Sequence, residues 1–251
     1  MGSPRSRRFP GSGFVAILLF VGPAAHQVPG SPASDPELLS GSDQHLVAVV
    51  ETPESTSGRL YRFQRVDGKW ESVGAGIPMV VGRRGVGPKK EGDGHSPRGV
   101  FPLGFAFGYR ERAPVSTAMT YRHLPPEAVC VDDSGSGRYN RIVFEPGPDR
   151  DWESAEAMRR DLAHGDDLYA LGVTVEYNPD AVPEAGSCIF LHIWRSPESP
   201  TAGCTAMAEP DLRTVLGWLQ PRHDPILVQG SRAYLEELHA EGLLPYEVPG
   251  A

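Results

Sequence analysis

Residues 188–207 read CIFLHIWRSPESPTAGCTAM. The first seven are apolar except for His192, which is the composition of a buried strand. A period of two places His192 on the same face as Phe190 and Trp194. An imidazole there loses its water and needs a partner, so it is either a satisfied core histidine or a group with a task. Serine and proline then interrupt the apolar run, and a turn carries Gly203 and Cys204. The loop between His192 and Cys204 is long enough to return the thiol to the end of the strand. A thiol alone is only a few per cent ionised at neutral pH. An adjacent imidazole corrects that, as base or as cationic partner.

Strand-like text surrounds this segment on its N-terminal side. Residues 46–50 form a short apolar run, and 59–63 and 69–73 flank Asp67-Gly68, a hairpin turn signal. Further strands are expected at 77–81, 100–103, 128–131, 141–144 and 173–177. Helical spacing occurs in three places. Ala155, Met158 and Leu162 share one face, as do Leu212, Val215, Leu216 and Leu219, with Pro210 suited to a first turn. Leu235 and Leu238 lie between Ser231 as N-cap and Gly242 as C-cap. The pattern predicts an α+β fold in which strands dominate, with two or three helices.

The 251 residues include 29 Gly and 25 Pro, roughly twice the usual share, which predicts many turns and long loops rather than a helical bundle. A net charge of −8 argues against sequence-independent nucleic-acid binding, which needs Lys and Arg against phosphate. At the N-terminus, Arg5, Arg7 and Arg8 precede the apolar run FVAILLFV at 14–21 and the small residues of Pro23-Ala24-Ala25. That order is the pattern of a secretory signal peptide over residues 1–25. The run is too short for a membrane span, which takes about 20 residues. No Cys follows it to carry a lipid, so no stable membrane anchor is expected after cleavage. Residues 26–44 read as a Pro/Ser-rich linker and 45–251 as one domain. Export to the periplasm or cell envelope follows from this reading.

Three cysteines in an exported chain leave one thiol unpaired. Cys130 and Cys188 lie in strand-like text, where oxidation pairs them, and Cys204 lies in a turn ahead of a helix, where thiols react. The expectation is a Cys130–Cys188 disulfide and a free Cys204. Neither His-Glu-x-x-His nor a paired Cys-x-x-Cys occurs, so no metal and no cofactor is expected.

With these residues in place, 188–207 resembles the active-site segment of the L,D-transpeptidase catalytic domain (YkuD-like) family, in a divergent exported branch with His-Ile-Trp and Thr-Ala-Gly-Cys-Thr-Ala-Met. The resemblance extends to KKEGDG at 89–94 and SPRGVFPLG at 96–104, which look like the family's glycine-rich loop. It also takes in Cys130-Val131-Asp132-Asp133, Tyr139-Asn140 and Val175-Glu176-Tyr177-Asn178. It implies mixed β-sheets packed like a sandwich with flanking helices. It implies Cys204 as nucleophile and His192 as base, with a backbone carbonyl near Ile193 as third element. The N–H groups of Gly203 and Cys204 would form the oxyanion hole. The implied partner is a peptidoglycan stem peptide, which loses its terminal D-alanine.

The sequence departs from the broader family pattern of His-Gly and Ser-His-Gly-Cys-x-Arg. Ile193 follows the His, Ala202 replaces the second His, and Ala206 replaces the Arg. An Arg beside the nucleophile clamps a carboxylate bidentately. Arg195 is the first candidate to take over, and Arg98 the second. Asp132 and Asp133 read as a general acid/base pair, as a hold on a substrate ammonium, or as turn caps. Tyr139, Asn140 and Asn178 read as polar lining of the cleft. Three functions stand side by side: a cysteine transpeptidase or its hydrolytic variant, a non-catalytic peptidoglycan-binding module, and an unrelated exported thiol enzyme.

Overall fold

The computed structural model describes residues 1–2 and 35–250. The expected signal peptide, apart from residues 1–2, and the linker up to residue 34 lie outside the described residues. Helix α1 (Pro36–Gly41) opens the fold, with the Asp35 carboxylate accepting from the Glu37 and Leu38 N–H groups. Such a cap satisfies donors that the first turn leaves open. The spacer expected up to residue 44 is therefore helical at its end, because Leu39 has an apolar surface to bury against.

Strands β1 (Gln44–Val50), β2 (Ser57–Val66), β3 (Lys69–Ser72) and β4 (Ile77–Val80) follow, with β2 antiparallel to the other three. Asp67 and Gly68 join β2 to β3 with φ of 49° and 78°. Two successive left-handed residues match the twist of a tight hairpin, which is why Asp-Gly marks the site. The short parallel pair β5 (Val86–Gly87) and β6 (Ser96–Pro97) brackets the glycine-rich loop, and β7 (Gly99–Gly108) is a long central strand. Strand β8 (Tyr121–His123) pairs with β7. Strands β9 (Val129–Cys130), β10 (Ile142–Val143) and β11 (Glu156–Ala157) form a separate small sheet. Helix α2 (Arg160–Ala163), β12 (Leu171–Val175), β13 (Phe190–Ile193) and β14 (Thr205–Met207) lead to α3 (Glu209–Trp218). Strand β15 (Ile226–Ser231) and α4 (Arg232–Ala240) end the regular structure.

The main sheet runs β1-β15-β7-β12-β13-β14-β4-β2, and β2 pairs again with β1. The sheet is thus closed and barrel-like, and the expected sandwich is corrected. The cause is the length of β2, which offers one edge to β1 along 58–64 and the other to β4 along 57–60 and β3 along 63–66. Closure removes the open edges of the sheet. The strand-dominated α+β class, with helices α1 to α4 around the sheet, stands.

Side chains from every strand of the ring converge on one core: Leu46, Leu60, Met79, Phe101, Val173, Leu191, Met207 and Leu227, joined by Leu212, Val215 and Leu216 of α3. The alternate faces of β1 and β15 (Val47, Val49, Ile226, Val228) pack outward against Leu235 and Leu238 of α4 and Leu39 of α1. Ser231 caps α4 as expected. A third cluster lies outside the ring over β13: Phe107, Cys130, Met158, Tyr169, Cys188, Phe190 and Cys204. Of the residues given helical spacing at 155–162, only Met158 joins this cluster, and Leu162 lies in the short helix α2. Glu156 pairs with Cys130 in β9 instead, Met158 is buried, and Leu162 is 61% exposed. Strand pairing outweighs a short helical period there.

Candidate active site

The register of β13 and β14 brings the two candidate reactive groups together. The strands are parallel, with Leu191 opposite Thr205 and His192 opposite Ala206. Leu191 and Met207 belong to the ring's interior core, so the alternate residues Phe190, His192, Cys204 and Ala206 face outward. Cys204 therefore lies diagonally across from His192 on one sheet face. Both line a cleft of about 740 Å³. That volume matches small-ligand sites and admits part of a peptide.

Burial and specific contacts set the state of the pair. The His192 Nδ1 lies 2.7 Å from the carbonyl oxygen of Ile193, to which it donates. The proton is thereby fixed on Nδ1, and Nε2 is the basic nitrogen. Tyr169 packs edge-on against the imidazole at 5.1 Å between centroids. Burial lowers the His192 pKa to about 4, against the opposing pull of the Ile193 carbonyl. The Cys204 thiol donates to the Cys188 carbonyl at 3.4 Å, and its sulfur accepts from the Phe190 N–H at 3.3 Å. Burial raises its pKa to about 12, helped by the Glu156 carboxylate and opposed by the Phe190 N–H and the Lys89 charge. At neutral pH the pair is a thiol beside a neutral imidazole. Attack on a carbonyl would transfer the proton as the S–C bond forms, so no standing thiolate is needed.

The disulfide joins Cys130 to Cys188, with Cα atoms 6.1 Å apart. Cys188 has φ of 56°, a left-handed geometry that a side chain resists unless its surroundings hold it. Asn140 supplies part of that hold, since its Oδ1 accepts the Cys188 N–H at 2.9 Å. Its amide donates to the carbonyls of Tyr177 and Asn178 at 2.8 Å. The Asn178 amide donates to Val182 and Gly186 carbonyls at 3.0 Å. Tyr139 is buried, donates to Glu91 at 2.5 Å and accepts the Gly186 N–H at 3.0 Å. These three residues were expected to line the cleft; they stand behind it and fix the 186–188 segment.

The other expected contacts divide. Arg195 lies at the rim, 63% exposed, and donates to Asp166 at 3.1 Å. Arg98 is exposed and stacks over Tyr234 of α4 at 5.0 Å, outside the cleft, so it does not replace the missing arginine. Asp132 lines the cleft and accepts from the Ser154 hydroxyl at 2.6 Å. Asp133 caps a turn instead, accepting from the Gly135 N–H at 2.9 Å and the Glu153 N–H at 2.8 Å. The Gly203 N–H, expected in the oxyanion hole, donates to the Thr201 hydroxyl at 3.1 Å.

Several cleft residues escaped the sequence reading. Glu156 accepts from the Tyr169 hydroxyl at 2.8 Å, and burial pushes its pKa up. Arg160 makes a two-pronged contact with Asp166, both bonds 2.8 Å, which holds the Asp166 pKa down at about 2. Glu91 also accepts from the Ser187 hydroxyl at 2.7 Å. Lys89 and Glu91 lay in the glycine-rich loop and were visible there. Glu156, Arg160 and Tyr169 come from irregular text that offered no period. Among the described residues no group of three His, Cys, Asp or Glu side chains is placed to hold a metal ion.

Comparison with known proteins gives this geometry a family. Residues 46–228 match the model of the L,D-transpeptidase catalytic domain, YkuD. The chain belongs to the L,D-transpeptidase catalytic domain family. The matched span includes β13, the Cys204 turn and the glycine-rich loop of this YkuD domain. No curated protein matches the chain. A solved structure, the helical cell shape determining protein Pgp2 from Campylobacter jejuni, is 15% identical with a TM-score of 0.37. The similarity covers 76% of this chain and 48% of Pgp2, so the chain spans about half the length of that protein.

Proposed function

We propose that this chain is an exported cysteine L,D-transpeptidase that acts on peptidoglycan stem peptides. The observation that carries the reading is the outward-facing Cys204 and His192 in one cleft, with the imidazole held by the Ile193 carbonyl. Membership of the YkuD family supplies the reaction class. The Cys130–Cys188 disulfide supports an oxidising compartment, and so export to the periplasm or envelope.

The thiol proton passes to His192 Nε2 as sulfur bonds to the carbonyl carbon of the diaminopimelate residue. The carbonyl electron pair moves onto oxygen, where N–H donors meet it. Collapse expels the D-alanine amine, which takes the proton from the imidazolium and leaves a thioester on Cys204. The amine of a second stem peptide attacks the thioester and gives its proton to His192, and the thiol is restored. With water as acceptor the same steps make an L,D-carboxypeptidase. The Asp132 carboxylate in the cleft wall suits an ammonium group on the donor.

The test incubates purified protein and a Cys204→Ser variant with tetrapeptide muropeptides and reads the products by mass spectrometry. Crosslinked dimers with loss of D-alanine, made only with Cys204 intact, support the transpeptidase. Tripeptide alone assigns the hydrolytic variant. No product, with muropeptide bound equally by both proteins, overturns catalysis and leaves a binding module.

A further inference from the structure

The cleft contains one cation whose whole side chain is enclosed. The Lys89 side chain is 3% exposed, and its ammonium donates to Asp93 Oδ1 at 3.2 Å and to the Lys90 carbonyl at 3.3 Å. Two glycines make room for it. A Cβ on Gly203 would meet Lys89 Nζ at 3.1 Å, and a Cβ on Gly186 would meet its Cγ at 2.9 Å. Gly186 also has φ of 103°, which side chains avoid. The lysine stem thus threads between the segment before Cys188 and the turn before Cys204, and it brings a charge to the nucleophile's own turn.

Burying an ammonium is costly unless it is paired and hydrogen-bonded. Asp93 pairs with it but also accepts from the Lys90 N–H at 2.7 Å and the His95 N–H at 2.9 Å, and lies 3.3 Å from His95 Nδ1. An ammonium has three N–H donors, and two are engaged here. The other cations are placed differently: Arg160 is clamped by Asp166, Arg195 is at the rim, Arg83 lines the cleft but is exposed and donates to the Gly92 carbonyl at 3.3 Å, and Arg98 stacks over Tyr234 of α4 outside the cleft. The Gly203 N–H is held by Thr201.

We propose that Lys89 is a further catalytic residue, whose third N–H meets the carbonyl oxygen that Cys204 attacks. The inference rests on the acyl transfer above. As the S–C bond forms and the thiol proton moves to His192, the carbonyl electron pair settles on oxygen between the Lys89 ammonium and the Cys204 N–H. Collapse returns that pair to carbon and releases the amine, which takes its proton from His192. Lys89 keeps its own three protons throughout. It supplies beside the turn the positive charge that Ala206 cannot.

The test compares Lys89→Met with Asp93→Asn. Loss of one oxyanion donor lowers kcat by about 10²–10³-fold, so Lys89→Met falls by that factor with KM changed only a few-fold. Asp93→Asn disturbs the same loop but keeps the ammonium, and stays within about tenfold of the parent protein. Equal losses in the two variants overturn the proposal, because Lys89 would then only pin the loop. Loss below about threefold in Lys89→Met overturns it too. A second readout needs no peptidoglycan: the rate of Cys204 alkylation by iodoacetate, an anion, relative to neutral iodoacetamide. Lys89→Met lowers that ratio about tenfold if the ammonium faces the thiol, and an unchanged ratio refutes it. This arm stands even if stem peptides prove not to be the substrate. Where Lys89→Met fails to fold, Lys89→Leu carries the same measurements.

Discussion

The disulfide ties the stability of the fold to the chemistry of the site, and breaking it tests both. It closes a loop with a sequence separation of 58 between Cys130 and Cys188. The chain-entropy relation for a loop of that length gives about 4 kcal/mol of stabilisation at 25 °C. For a domain of this size that corresponds to a Tm lower by about 10 °C in the Cys130→Ala/Cys188→Ala protein. The double substitution also removes the covalent hold on the left-handed conformation of Cys188, leaving it to hydrogen bonds such as that to Asn140. The Cys188 carbonyl accepts the Cys204 thiol proton, so its displacement frees the thiol. Activity should therefore fall at temperatures where the variant is still folded. Scanning calorimetry gives the first quantity, and muropeptide turnover at 20 °C the second. A Tm within about 2 °C of the parent protein would refute the entropic account. Undiminished turnover would show that Cys188 does not position the nucleophile.

Two buried neutral histidines make the fold acid-sensitive. His192 has a pKa lowered to about 4 and His45 to about 3, in both cases chiefly by burial. Their contribution is present above the ordinary value of 6.5 and is lost as the pH falls towards the folded values; His192 alone loses about 3 kcal/mol by pH 4, seen as a lower urea midpoint. In the opposite direction, with Cys204 raised to about 12, kcat/KM should stay level from about pH 5 to 9. An alkaline limb near pH 8 would mean a standing thiolate–imidazolium pair. Arg195→Ala, at the exposed rim, should raise KM by no more than about fivefold, and Arg98→Ala should change neither constant. A hundredfold loss in either variant would contradict the geometry.

Local patterns carried the sequence reading as far as local forces act. Asp67-Gly68 announced the β2–β3 hairpin because its backbone angles depend on those two residues. The apolar faces of α3 and α4 were readable for the same reason. His192 stood out because a polar ring interrupted an apolar strand, and the length of the following loop allowed Cys204 to return. Barrel closure was not legible, since it depends on both edges of β2 meeting distant strands. The 155–162 segment was legible only in part: α2 takes up 160–163, while at 156–157 pairing with 129–130, more than twenty residues away, overrides the helical period. Tyr139, Asn140 and Asn178 look alike in sequence whether they face a ligand or hold a backbone. Only their partners, carbonyls and N–H groups of 177–188, distinguish the two roles.

The departures from the family's usual motif make physical sense in this frame. The group that orients His192 is a backbone carbonyl, which any residue supplies, so Ile193 in place of Gly leaves that contact intact. Ala202 replaces a histidine beside a turn that other groups already hold. The Thr201 hydroxyl donates to the Cys204 carbonyl at 2.6 Å and accepts the Gly203 N–H, while Thr201 bridges to Gly82. Ala206 is fully buried opposite His192 and pairs with Val80 on its other side, where an arginine would need both space and a counter-charge. The positive charge then has to come from outside the sheet, and the glycine-rich loop delivers Lys89 through the gap left by Gly186 and Gly203. The small residue at 206 and the two glycines are thus parts of one packing solution.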